Sequence, residues 1–250
     1  MLNTIVHGDR TDKRPLLIAH GLFGSGRNWG VISKRLSDER QVIAVDMRNH
    51  GLSPRNDSHT YPEMAADLAE VIDGQWDVLG HSMGGKAAMM LALHYPEKVG
   101  RLVVADIAPV AYTHEQNQNI AAMRRVDLAT VENRNDAAEQ LGDLDDGLKA
   151  FFLQSLDLKD RRWRLNLDAL EANMPHVIGF PEVTGTYEGK TLFLSGANSD
   201  YVKPDYRTRI KDLFPNAHFA KIPGTGHWLH AEKPREFEQA VRAFLNLEYS

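Results

Sequence analysis

Residues 76–86 read WDVLGHSMGGK. A mostly apolar run leads into Gly80-His81-Ser82-Met83-Gly84, a serine hemmed in by glycines, and an apolar helical stretch, AAMMLAL at 87–93, follows. A turn that needs only flexibility has no use for this pattern. A serine held where bulky neighbours would obstruct the backbone does. Strand, Gly-x-Ser-x-Gly and helix in succession turn a serine hydroxyl out above a sheet. Ser82 is therefore a candidate nucleophile, and the Met83 N–H at the helix start is a candidate oxyanion donor, helped by the helix dipole.

On both sides of this stretch, β-rich runs alternate with helical patterns. Strands are expected at 15–21, 41–47, 76–81, 101–107, 191–197 and 218–224, and helices at 28–37, 61–73, 83–94, 204–213 and 234–247. That rhythm predicts an α/β fold, a mostly parallel, doubly wound sheet with crossover helices. The runs LLIA, VIAV and LVVA are continuously apolar, as strands buried on both faces must be. The rhythm fails between 112 and 185, where the chain is charged, helix-favouring and poor in strand signals, and resumes afterwards. The expectation is a core of 1–111 and 186–250, with 112–185 inserted as a helical lid.

Composition narrows the classes of function. The chain has 250 residues, 42% of them hydrophobic, which suits one α/β domain with a substantial core. Its net charge of −5, with both signs scattered, argues against a nucleic-acid surface. The absence of cysteine removes disulfides, thiolate catalysis and Cys-ligated zinc. The N-terminal MLNTIVHGDRTDKRP has no apolar core of signal-peptide length, and AAMMLAL is too short to span a bilayer. A cytoplasmic protein without a membrane span is the expectation.

Ligands of open parallel sheets sit at the carboxyl ends of the strands. The strands here end in His20-Gly21-Leu22-Phe23-Gly24, in Asp46 through Ser53, in Ser82, in Asp106, in Ser199-Asp200 and in His227. A serine hydroxyl needs an imidazole to take its proton, and His227, in a glycine-flanked loop, is the natural base. His20 and His50 read as loop braces, and His81 as packing for the elbow. His59, His94, His114, His176 and His218 have no context that suggests chemistry.

HGLFGS at 20–25, DMRNHGLS at 46–53, GHSMGG at 80–85 and GTGHWLHAEKP at 224–234 occur in the order of the α/β-hydrolase family, which the chain resembles from 15 to 247. It looks most similar to small bacterial serine esterases and acyl-thioesterases with a GHSMGGK elbow. The resemblance implies a Ser82–His227–acid triad, an oxyanion hole formed by the amides of Leu22 and Met83, and no cofactor. The usual acid of lidded members follows a glycine by three residues, but here Gly196 is followed at that position by Ser199, and Asp200 comes one residue late. One step along an extended segment reverses a side chain. Asp106, after the strand that follows the elbow helix, is favoured as the acid, with Ser199 in support and Asp200 as the alternative.

Three other readings compete. C–C bond hydrolases and cofactor-free haloperoxidases share a serine elbow. His227 and His230 are spaced as a metal-ligand pair, but no third ligand is near in sequence, so no metal is expected. A non-catalytic binding protein would not need an intact serine, histidine and acid. The preferred reading is hydrolysis of short- to medium-chain acyl esters or acyl-CoA thioesters. Phe23, Phe151, Phe152, Trp163 and Trp228 are pocket candidates, with Met174 and Phe180 as further apolar bulk. Arg161, Arg162 and Arg164 are candidates for meeting a phosphate.

Overall fold

A computed structural model describes residues 1–114 and 116–247. The chain begins with β1 (Thr4–His7), β2 (Leu16–Ala19), α1 (Gly30–Leu36), β3 (Val42–Val45), α2 (Tyr61–Val71), β4 (Trp76–His81), α3 (Met83–His94) and β5 (Val99–Ala105). Helices α4 (Asn117–Arg124), α5 (Arg134–Gln140) and α6 (Asp146–Leu153) follow. Next come a two-stranded hairpin, β6 (Leu156–Asp157) and β7 (Arg162–Trp163), and helices α7 (Leu167–Ala172) and α8 (Met174–Ile178). The sheet resumes with β8 (Thr191–Gly196), α9 (Arg207–Leu213), β9 (Ala217–Ile222), α10 (Leu229–Glu232) and α11 (Pro234–Leu245).

The main sheet has seven strands in the order β1-β3-β2-β4-β5-β8-β9. All its pairings are parallel except that of β1, which runs antiparallel to β3. The short β1 carries no buried residue, so the continuous apolar signal that marks the central strands is missing from it. Such an edge strand is hard to see in sequence. Helices α1 and α11 pack together, as do α2 and α3. Along the central strands, Leu17, Ala19, Ile43, Val45 and Val78 join one core, while Leu16, Ile18, Val42, Ala44 and Leu79 join a second. That alternation is the period-two geometry of a strand covered on both faces. Helix α11 buries Phe237, Val241, Phe244 and Leu245, spaced so that they form one stripe.

Helix α2 starts where expected. The Thr60 hydroxyl and the Glu63 carboxylate form a reciprocal capping box, and Pro62 occupies its first turn. At the elbow, glycine serves close approach. A Cβ on Gly80 would lie 2.2 Å from the Gly84 carbonyl oxygen, and a Cβ on Gly84 would lie 2.3 Å from that of Ala19. Both obstacles are backbone, which cannot swing aside as a side chain can. We expect Gly84→Ala to destabilise the fold by at least about 2 kcal/mol, read as a lowered urea midpoint with an unchanged slope.

Candidate active site

Ser82 stands between β4 and α3 with φ 52° and ψ −119°, a backbone conformation that side chains rarely adopt. Strand and helix are pinned on either side of it. The Ser82 N–H donates to the Ala105 carbonyl, 3.1 Å away, and the Lys86 N–H donates back to the Ser82 carbonyl at 3.0 Å. The hydroxyl lies 3.1 Å from Nε2 of His227. On the other side of that ring, Nδ1 lies 2.7 Å from Oδ2 of Asp106. These three side chains come from the turn after β4, the residue after β5 and the loop after β9, and the fold alone unites them.

Asp106 is fully buried and has φ 51°, a left-handed conformation that aspartate tolerates better than most residues. The Gly196 N–H donates to its Oδ1 at 3.0 Å, and the Ser199 hydroxyl donates to its Oδ2 at 2.5 Å. These bonds orient the carboxylate toward the imidazole and satisfy its lone pairs in the dry interior. Asp200, the alternative from sequence, is exposed and no hydrogen bond joins it to His227. The extra residue after Gly196 turns Asp200 outward and leaves Ser199 facing Asp106.

The loop after β2 runs beneath the same opening. Its braces are neutral histidines whose tautomers the hydrogen bonds define. His20 accepts the Met47 N–H on Nε2 and donates from Nδ1 to the Gly21 carbonyl. His50 accepts the Phe23 N–H on Nε2 at 3.1 Å and donates from Nδ1 to the Arg48 carbonyl. The Phe23 amide is thereby committed. The Leu22 and Met83 amides have no acceptor among the described residues. His81 donates from Nε2 to the His227 carbonyl at 2.8 Å, fixing the backbone that carries the imidazole. Burial, reinforced by neighbouring histidines, pushes the His50 and His81 rings well below the usual imidazole range.

The opening leads into a cavity of about 340 Å³, lined in part by Ser82, Leu22, Met83 and His227. Phe23, Phe151, Phe152 and Trp228 line it as well. Trp163 does not. It is buried among the helices between β5 and β8, where its Nε1 donates to the Met123 carbonyl. A tryptophan with its N–H committed to a backbone carbonyl is core, and this corrects its assignment to the pocket. Met174 is buried outside the cavity lining, and Phe180 lies beside a separate, smaller one.

Tyr201 escaped the sequence reading. Its ring stacks on His227 with centroids 4.0 Å apart and planes inclined by 22°. No local pattern marks it, since the stacking joins two distant loops. His230 lies flat on Trp29 with centroids 4.2 Å apart. Among the described residues, no group of three His, Cys, Asp or Glu side chains is placed to hold a metal ion.

Burial sets His59 and His230 at about 3, far below the ordinary 6.5. Between those limits the unfolded chain binds more protons than the folded one, so the stability these rings contribute is present above about pH 6.5 and is lost as pH falls toward 3. NMR titration should find both rings neutral at about pH 5, and the urea midpoint should drop on acidification from about pH 6.5.

Residues 14–234 match the family model described as the alpha/beta hydrolase fold. Esterase YbfF of Escherichia coli is 39% identical over 239 residues, covering 93% of this chain and 93% of its own. The sn-1-specific diacylglycerol lipase ABHD11 of Mus musculus is also 39% identical, covering 96% of this chain and 83% of its own. A solved structure described as a marine microorganism esterase superposes with a TM-score of 0.91 at 38% identity, over 97% of this chain and 98% of its own. The family model spans most of the chain, and these relatives match it over nearly its full length, so the chain belongs to the α/β-hydrolase family.

Proposed function

We propose that this carboxylic ester hydrolase works through a Ser82–His227–Asp106 triad and an acyl-enzyme. The observation that carries the reading is the unbroken line of hydrogen bonds from Ser82 Oγ to His227 Nε2, 3.1 Å, and from His227 Nδ1 to Asp106 Oδ2, 2.7 Å. Ser82 Oγ attacks the acyl carbonyl while His227 takes its proton. The buried Asp106 keeps the proton of the imidazole on Nδ1 and stabilises the imidazolium that forms. The carbonyl π electrons move onto oxygen, and the Leu22 and Met83 N–H groups donate to that oxyanion. Commitment of the Phe23 amide to His50 supports Leu22 as the donor from this loop. One such donor typically lowers the barrier by roughly 3–4 kcal/mol.

The tetrahedral adduct then collapses and the bond from carbon to the leaving oxygen breaks. His227 returns its proton to that oxygen and the alcohol departs. Water, deprotonated by the same imidazole, cleaves the acyl-enzyme through a second tetrahedral adduct and regenerates the Ser82 hydroxyl. No step requires a cofactor.

Residues 112–185 serve in this reading as a lid whose Phe151 and Phe152, with Phe23 and Trp228, contact a short- to medium-chain acyl group. Esters and thioesters present the same carbonyl to Ser82. Arg161 donates to the backbone carbonyls of Leu128 and Ala129, Arg162 pairs with Asp160, and Arg164 pairs with Asp157. Arginines so engaged favour simple esters over acyl groups carried on a phosphate-bearing thiol.

Three substitutions test the reading with p-nitrophenyl esters of graded chain length, run beside acyl-CoA thioesters. Ser82→Ala should abolish both turnover and labelling by a fluorophosphonate probe. Asp106→Asn should lower kcat by about 10⁴, because the wrong tautomer is then favoured. Asp200→Asn should stay within about twofold of wild type, as expected for a solvated loop charge. Full activity in Ser82→Ala overturns the mechanism.

A further inference from the structure

Lys86 is a charge that the acyl-transfer steps leave unused. It sits in the first turn of α3, four residues beyond Ser82, and its N–H donates to the Ser82 carbonyl. It is 1% exposed and lines the cavity into which Ser82 opens. No carboxylate pairs with it among the described residues. Its Nζ donates to the carbonyls of Ile178, 3.0 Å away, and Gly179, 2.6 Å away, at the end of α8. The Tyr112 ring centroid lies 4.7 Å from Nζ and that of Tyr61 5.7 Å.

Two carbonyls and two aromatic faces stabilise an ammonium without neutralising it. An ammonium also has three donors, and these carbonyls take two of them. Burial pushes the amine down to about 7, as befits a cation held in a dry site with no anion beside it among the described residues. The cavity lining is divided to match. Phe23, Phe152, Phe151 and Trp228 form a chain of ring contacts. Lys86, Tyr112, His114 and Tyr201 form another, which is polar and reaches the imidazole of His227. A substrate apolar throughout would leave the second group, and its buried charge, without a complement.

Building on the esterase reading, we propose that the substrate carries an anionic group, a carboxylate in its simplest form, that pairs with the Lys86 ammonium inside the cavity. The enzyme is then selective for esters bearing a carboxylate a few carbons from the scissile carbonyl. The carboxylate belongs either to the acyl half, as in a half-ester of a dicarboxylic acid, or to the alcohol half, as in an acylated hydroxy acid. Lys86 sets specificity and takes no part in bond making.

The two halves are separated by matched substrates. For the acyl half, p-nitrophenyl hemiglutarate is compared with its methyl ester, and for the alcohol half, 4-butyryloxybenzoate with its methyl ester. In the wild-type enzyme, kcat/KM for one of the anionic members should exceed that of its neutral partner at least tenfold, through KM. Lys86→Met should bring that ratio to one or below, and Lys86→Arg should retain it. A second measurement needs no variant: glutarate should inhibit turnover of a neutral ester competitively, at concentrations at least tenfold lower than glutaramide. A ratio of one or less for both pairs in the wild-type enzyme overturns the proposal, as does a ratio unchanged in Lys86→Met or inhibition by glutarate no stronger than by glutaramide. Any of those results beside brisk hydrolysis of the neutral esters leaves the esterase reading standing. Loss of turnover on every ester together with failure of Ser82 to label overturns the esterase reading itself.

Discussion

The close approach of backbone to backbone around Ser82 is the constraint on which the site depends. Gly80 packs against the carbonyl of Gly84, and Gly84 against that of Ala19, with no room for a Cβ at either position. Because strand and helix meet so tightly, the residue between them is driven to φ 52°, and the strain is held by parallel neighbours on both sides of β4. The hydroxyl is thereby presented at the carboxyl edge of the sheet and the start of α3 is aimed at the same point. A looser bend would leave the serine free to turn away from the imidazole.

Around that bend the protein uses neutral polar groups as struts. His20, His50 and His81 are buried; the first two spend both ring nitrogens on backbone partners, and His81 spends its Nε2 on the His227 carbonyl. Burial keeps them uncharged, so they hold the loops that carry Leu22 and His227 without adding positive charge beside the reacting centre. Asp106 differs in kind. It is a buried acid with donors from Gly196, Ser199 and His227, a set that orients it fully. Lys86 is a buried basic group on the cavity wall, held among the described residues by two carbonyls and two aromatic rings.

Several features were legible in the chain because they depend on neighbours in sequence. The elbow, the apolar central strands and the alternation of strand and helix all follow from local spacing, and the strands found lie within a few residues of those expected. The bracing roles of His20 and His50 were also visible, from their place beside glycine in strand-end loops. The edge strand β1 was not, because half-solvated residues carry no continuous apolar signal. Trp163 was misread because aromatic bulk looks the same in sequence whether it lines a cavity or fills a core.

The sequence by itself determined which residues could do chemistry: a serine at a forced bend, a histidine in a glycine-flanked loop and two eligible acids. Only the tertiary structure decided which acid faces the imidazole, since Asp106 and His227 stand 121 positions apart and meet through the order of strands in the sheet. It alone placed Tyr201 on the imidazole and left Lys86 lining the cavity with no carboxylate partner among the described residues. The physical reason is common to all of these. Local pattern is set by backbone geometry over a few residues, whereas charge pairing, ring stacking and enclosure are set by distances that exist only once the chain has closed on itself.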